Sequence, residues 1–186
     1  MKSRFDPQIH HRRSIRLKDY DYASEGAYFV TTVTQGRVCI FGEIVDGKMR
    51  LNRYGEIVQE WWNEIPIHFP NVEIGAFVIM PNHVHGIIFI LDQRTGAVFP
   101  LHNGPKPLRI STLGQIIAYF KYQSTKEMNL ADGTGTIAKF WQRNYYERII
   151  RNEKELKQKT DYILDNPSRW HVDQENLTKK SPGYKL

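Results

Sequence analysis

Apolar positions along the chain recur with two periods, and the switches between them mark out its elements. Residues 27–34 (Ala-Tyr-Phe-Val-Thr-Thr-Val-Thr) are rich in β-branched and aromatic side chains and predict a strand. Residues 38–45, the pair Asp46-Gly47 and residues 49–51 predict a hairpin. Asn52 stands where a helix cap is needed. Tyr54, Val58, Trp61 and Ile65 follow at helical spacing, until Pro66 and Pro70 end the run. Residues 72–80 predict a second strand, Pro81-Asn82 a turn, and residues 83–90 a third strand. Residues 93–107 hold Gly96, Pro100, Gly104, Pro105 and Pro107 and predict a loop. Ser111 or Thr112 caps a helix reaching about Met128, with Leu113, Ile116, Ile117 and Phe120 on one face. Residues 129–136 predict a loop and residues 145–150 a fourth core strand. Residues 152–166 predict a last helix whose Asn152 and Glu155 approach a capping box. From Ser168 onward the chain is polar.

With the hairpin set aside, the order is strand, helix, strand, strand, helix, strand, helix. That order predicts an α+β fold of ferredoxin-like or RRM-like type, an antiparallel sheet with helices packed on it. No repeat and no long linker divides the chain. The expected partition is a basic N-terminal arm over residues 1–19, one domain over 20–170 and a polar C-terminal tail over 171–186.

Composition sharpens this picture. Of 186 residues, 40% are hydrophobic and 12% aromatic, enough to build a core rather than a disordered chain. Lys and Arg number 26 against 20 Asp and Glu, a formal charge of +6, which suits a polyanionic partner. Basic groups and neighbouring aromatics are the candidate DNA contacts. They are Arg12, Arg13 and Arg16 in the arm, Lys121, Tyr122 and Lys126 on the second helix, and Arg143, Arg148, Arg151 and Lys159 around the last one. Each is equally readable as a solvated surface charge. The lone Cys39 excludes an intrachain disulfide and a cysteine zinc cluster. The N-terminus lacks the apolar run of a secretory signal and no apolar stretch is long enough to cross a bilayer, so a cytoplasmic setting without a membrane partner is expected.

Two segments carry candidate chemistry. On a strand, His83 and His85 point to one face and Val84 to the other, with the two histidine Cα atoms about 7 Å apart. Such a pair can grip one divalent cation, or it can be two unrelated histidines at a strand end. On the last helix Tyr162 and Asn166 are one turn apart on a shared face, with Lys159 beside them and Leu156 and Ile163 marking the adjacent buried stripe. A phenol next to an amide oxygen fits a nucleophile with a metal ligand; it fits equally a packing aromatic with a helix cap.

Four motifs occur in order: Met-Pro-Asn-His-Val-His at 80–85, Trp-Gln-Arg-Asn-Tyr-Tyr-Glu at 141–147, Ile-Arg-Asn-Glu at 150–153, and Tyr162-Ile163 followed by Asn166-Pro167. Together they resemble the REP-associated tyrosine transposases, within the wider HUH (His-hydrophobic-His) single-tyrosine transposases, over about residues 15–170. The resemblance implies a ferredoxin-like fold, a Mg²⁺ or Mn²⁺ ion held by His83, His85 and Asn166, and Tyr162 as the nucleophile. It implies a single-stranded DNA substrate, with hairpins, that is cut and rejoined through a covalent phosphotyrosine by a monomer or homodimer. Asp161 and Asp165 flank the tyrosine with no assigned role. Tyr145 and Tyr146 are rival nucleophiles, whereas Tyr119 and Tyr122 sit in the second helix, where the single-tyrosine enzymes that the chain resembles do not place theirs.

Other classes fit less well. A non-catalytic RRM-like nucleic-acid-binding module would stack bases on strand aromatics, but no RNP-like Lys/Arg-Gly-Phe run is present. A two-histidine phosphoesterase would need His-x-Ser/Thr motifs, and a zinc peptidase His-Glu-x-x-His; neither occurs. A domesticated nuclease that cuts but no longer transposes has the same sequence signature as an active enzyme.

Overall fold

The computed structural model describes residues 24–91, 111–135 and 137–176. The arm at 1–19, with Arg12, Arg13 and Arg16, and the expected loop at 93–107 lie outside the described residues.

Strand β1 runs over Gly26–Val33, β4 over Val72–Met80, β5 over His83–Ile90 and β6 over Tyr146–Ile150. They form one antiparallel sheet in the order β4-β5-β1-β6. A separate hairpin pairs β2 (Gly42–Val45) with β3 (Lys48–Leu51), so its first strand starts four residues later than the 38–45 pattern predicts. Residues 40 and 41 are drawn off by another partner: their backbone N–H groups donate to Pro81 O at 2.9 and 3.0 Å.

Helix α1 (Arg53–Asn63) starts where the Asn52 side chain accepts from the N–H groups of Tyr54 and Gly55. Pro66 does not simply end it. It sits in the first turn of a short helix α2 (Ile65–His68), where its missing N–H costs nothing. Helix α3 (Leu113–Asp132) opens on a full capping box of Thr112 and Gln115 and closes on Gly133 in the left-handed region. It runs four residues past Met128, because Asn129 side-chain bonds to Thr125 O and to Ala138 order its last turn. Helix α4 (Glu153–Asp165) is capped by Asn152. Here the capping box is only half formed, since the Glu155 carboxylate turns instead to Arg148 and to the N–H of Arg151. Pro167 opens a 3-10 helix, Pro167–Val172, within what the sequence alone offered only as a polar tail.

The sheet separates two cores. Tyr28, Val30, Val84 and Ile88 point toward α1 and α3, where Trp62, Ile116, Phe120 and Trp141 are buried. Gly86 lies on that face and has no side chain because Trp62 occupies the space: a Cβ there would stand 2.2 Å from the indole. The opposite face buries Phe29, Ile87, Ile150 and Ile163 under α4. Strand alternation therefore sends His83 and His85 to the α4 side, with Ile87.

Candidate active site

Beyond the small apolar patch under α4, the sheet surface turns polar. In register across three strands stand His85, Thr31 and Tyr146, all on the α4 face. They border a cavity of about 770 Å³ whose lining also includes Phe29, Lys159, Tyr162, Asn166, Arg169 and Asp173.

Phe29 is the floor. The His85 ring stacks on it at 5.4 Å between centroids, and the rings of Tyr162 and Tyr146 meet it edge-on at 5.9 and 6.4 Å. The Lys159 ammonium lies 4.6 Å above it. Ile163, fully buried beside Tyr162, fixes the rotation of α4 and so the direction of the phenol.

The Tyr162 hydroxyl lies 3.2 Å from His85 Nε2. His85 Nδ1 is 2.7 Å from Thr31 Oγ1, so the ring is held at both nitrogens. His83 is completely buried, and its ring centroid is 4.5 Å from that of His85. Its Nδ1 meets Asn82 Oδ1 at 2.8 Å, while its Nε2 has no hydrogen-bond partner. Burial lowers the His83 pKa from 6.5 to about 3. His85 is also pushed well below 6.5, by burial and then by His83, with Asp173 opposing. Both rings are therefore neutral at physiological pH, the form that ligates metals. Tyr162 is pushed above its usual value of 10, chiefly by burial and then by the Asp173 charge; a side-chain hydrogen bond with Asn166 pulls the other way.

Asp173 is the residue that motif reading missed. Its Oδ2 lies 3.9 Å from His83 Nε2. The ligand atoms of His83, His85 and Asp173 all fall within 4.8 Å of one another, and the three can hold a metal ion. The fit to a cation has a physical sign. With its proton on Nδ1, His83 faces the carboxylate with a bare nitrogen, two electron-rich atoms with nothing positive between them. Nearby, Asn166 is buried with its Oδ1 also unpartnered.

The other expected residues fall in several places. Lys159 lines the cavity, and its pKa is lowered, first by burial. Arg148 is tied to Glu155 by an ion pair at the start of α4, and the exposed Arg151 donates its backbone N–H to the same carboxylate. Arg143 is exposed near the rim. Lys126 and Tyr122 are exposed on α3, the helix on the far face of the sheet. Lys121 is not the free surface cation expected of it. Its ammonium donates to the carbonyls of Gln142 (2.5 Å) and Asn144 (3.2 Å), and burial lowers its pKa to about 8. With Gln142 bonded to both Val33 O and Thr34 O, it pins residues 142–144 along the cavity rim, which accounts structurally for much of the 141–147 motif. Asp161 pairs with Lys157 and Asp165 is exposed; neither joins the His83–His85–Asp173 cluster. Among the rival tyrosines, Tyr119 packs against His68 and Phe69 in the other layer, whereas Tyr146 shares the cavity. Arg169 and Arg37, the latter paired with Glu175, are further cations on the lining that carried no signal in the sequence.

No family model matches the chain. A Haemophilus influenzae protein described as uncharacterized is 44% identical over 183 residues, spanning 94% of this chain and 98% of the relative. At that identity and span the two belong to one family. A second Haemophilus influenzae protein, named as a REP-associated tyrosine transposase, is 28% identical over 154 residues, 79% of this chain and 73% of the relative. The solved structure of a REP-associated tyrosine transposase bound to a REP hairpin shares the fold. Its TM-score is 0.57 at 20% identity, over 88% of this chain and 77% of that one.

Proposed function

We propose that this chain, related in sequence and fold to the REP-associated tyrosine transposases, cuts and rejoins single-stranded DNA through a covalent bond to Tyr162. The observation that carries the proposal is the 3.2 Å approach of the phenol to His85, beside a cluster of donors suited to a divalent cation. Hairpin-bearing DNA is the substrate class, by analogy with the relative solved on a REP hairpin.

In this reading His83, His85, Asp173 and Asn166 hold Mg²⁺ or Mn²⁺. When bound, the ion neutralises charge on the phosphate oxygens and favours in-line attack. Lys159 and Arg169 face the cavity and meet the DNA backbone. Phe29 and Ile163 hold the Tyr162 ring so that its oxygen can approach phosphorus. The P–O3′ bond breaks as the P–O bond to Tyr162 forms. The phenol proton leaves to solvent and the departing 3′ oxygen takes one up, giving a phosphotyrosine and a 3′-hydroxyl. Attack by another 3′-hydroxyl reverses the step and joins strands, so no nucleotide cofactor is consumed.

The test is incubation of a labelled hairpin strand with the protein and Mn²⁺ or Mg²⁺, followed by denaturing gel electrophoresis. Wild type should give a protein–DNA species, and Tyr162→Phe none, while its folding stability changes by less than about 1 kcal/mol because the ring remains. Replacing both His83 and His85 with Ala should abolish cleavage and leave most DNA binding, which rests on phosphate contacts. An adduct that persists in Tyr162→Phe and disappears in Tyr146→Phe would move the nucleophile to β6. No adduct from wild type on any hairpin would favour the binding-module reading.

A further inference from the structure

The turn that joins β4 to β5 places one fully buried amide, Asn82, against the metal-ligand candidate His83. We propose that Asn82 is a positioning residue for two ligands at once: it fixes the tautomer of His83 and clips the segment bearing Asp173 onto the site. The proposal rests on the metal-site reading above.

The first half follows from hydrogen-bond chemistry. Asn82 Nδ2 lies 3.0 Å from Arg37 O and 2.8 Å from Glu175 O. Both are backbone carbonyls and can only accept. The amide orientation is thereby determined by its partners: the NH₂ group must face them and Oδ1 must face His83. Oδ1 in turn can only accept, so His83 Nδ1 carries the proton. A neutral imidazole protonated on Nδ1 has a bare Nε2, and Nε2 is the atom directed at Asp173.

The second half concerns how Asp173 is held. Its Oδ1 accepts from the N–H of Glu175 at 2.7 Å, leaving Oδ2 for the site. Glu175 is itself fastened from outside its own segment by the Asn82 amide and by the Arg37 guanidinium. Arg37 adopts a left-handed backbone (φ 56°), which few non-glycine residues do, and its carbonyl is one of the two that Asn82 grips. The same side chain thus bonds the loop after β1, the ligand His83 and the C-terminal segment.

A purely architectural role for Asn82 in the turn is disfavoured by the backbone bonds. Pro81 O accepts from Ile40 and Phe41, and Asn82 O accepts from Thr34 N at 2.9 Å. These hold the turn without the side chain, so the amide is free to serve the site.

Two substitutions separate the two functions. Asn82→Asp keeps an acceptor for His83 Nδ1–H and loses both donors to the carbonyls; Asn82→Ala loses all three bonds. The readouts are the ¹⁵N shifts of the His83 ring in metal-free protein, Mn²⁺ affinity by titration, and protease sensitivity around Glu175. Expected for Asn82→Asp are a retained Nδ1–H tautomer, a segment more readily cleaved and weakened Mn²⁺ binding. Expected for Asn82→Ala are tautomer averaging, the same cleavage, and Mn²⁺ affinity lower by about 10- to 100-fold. Asp173→Asn should lower Mn²⁺ affinity less in the Asn82→Ala background than in wild type, because the two act in one chain of contacts. Unchanged tautomer and unchanged Mn²⁺ affinity in a folded Asn82→Ala would overturn the proposal. Absence of Mn²⁺ binding by wild type would instead sink the metal-site reading and this proposal with it.

Discussion

One face of the sheet is covered by α1 and α3 and buries Tyr28, Val84, Ile88, Trp62, Ile116 and Phe120 in a continuous apolar layer. The other, under α4, buries Phe29, Ile87, Ile150 and Ile163 and then gives way to Thr31, His83, His85 and Asn166. The two are built from the same strands, residue by alternate residue. On the first face the packing is close enough that Gly86 must be bare to admit the Trp62 indole. Both faces bury polar atoms without partners, Trp62 Nε1 and Thr32 Oγ1 on the first, His83 Nε2 and Asn166 Oδ1 on the second; only on the second do they stand beside a carboxylate and a second imidazole, where a bound ion would relieve the cost. The comparison teaches a division of labour: the α1/α3 face supplies the stability that lets the α4 face hold unfavourable groups in place.

The sharpest way to break that comparison is to damage the stabilising face. Trp62→Ala should destabilise the fold by about 3–5 kcal/mol, read by urea denaturation, while the molecules that remain folded still bind Mn²⁺. A loss below about 1 kcal/mol would mean that the two faces share the load. Next in size is a pH effect on the other face. In the unfolded chain His83 takes up a proton as pH falls through 6.5; in the folded protein it does not until about pH 3. Folding is therefore unpenalised by His83 above 6.5 and increasingly penalised below it, by up to about 1.4 kcal/mol per pH unit. His83→Gln should flatten the fall of stability between pH 6 and 4 by about that slope, and an unchanged slope would show that burial does not hold His83 neutral. The smallest effect is expected at Lys159, which touches only rings and the cavity. Lys159→Ala should make the dependence of log affinity for single-stranded DNA on log salt shallower by about 0.7, with stability nearly unchanged. No change in salt dependence would mean that its ammonium serves Phe29 rather than DNA.

The fold was legible because its signals are local. Alternation along β5, caps at Asn52, Thr112 and Asn152, and the order of elements are each written within a few residues. The mixed α/β fold with its four-stranded antiparallel sheet and packed helices agrees with the expectation, and the solved relative shares it. What the sequence hid are groups defined by chain return. Asp173 lies eight residues beyond the end of α4, in a stretch with neither apolar period nor motif. It reaches His83 only because a 3-10 helix folds the chain back over β5. Asn82 was visible in the Pro-Asn-His run but readable only as turn punctuation, since its partners are backbone carbonyls 45 and 93 positions away. Lys121 failed as a surface cation for the same reason: the three consecutive carbonyls that it caps leave no trace in composition.

The contact between Tyr162 and His85 joins residues 77 positions apart within a single polypeptide. Many strand-transfer reactions need two copies of a protein to assemble one reactive centre, and their rates then rise with the square of dilute protein concentration. Here the phenol oxygen and the imidazole beside it arrive together as the chain folds. Under the proposed mechanism, adduct formation is therefore expected to be first order in protein, which its initial rate measured against protein concentration would check; a second-order dependence would mean that a second copy supplies the tyrosine.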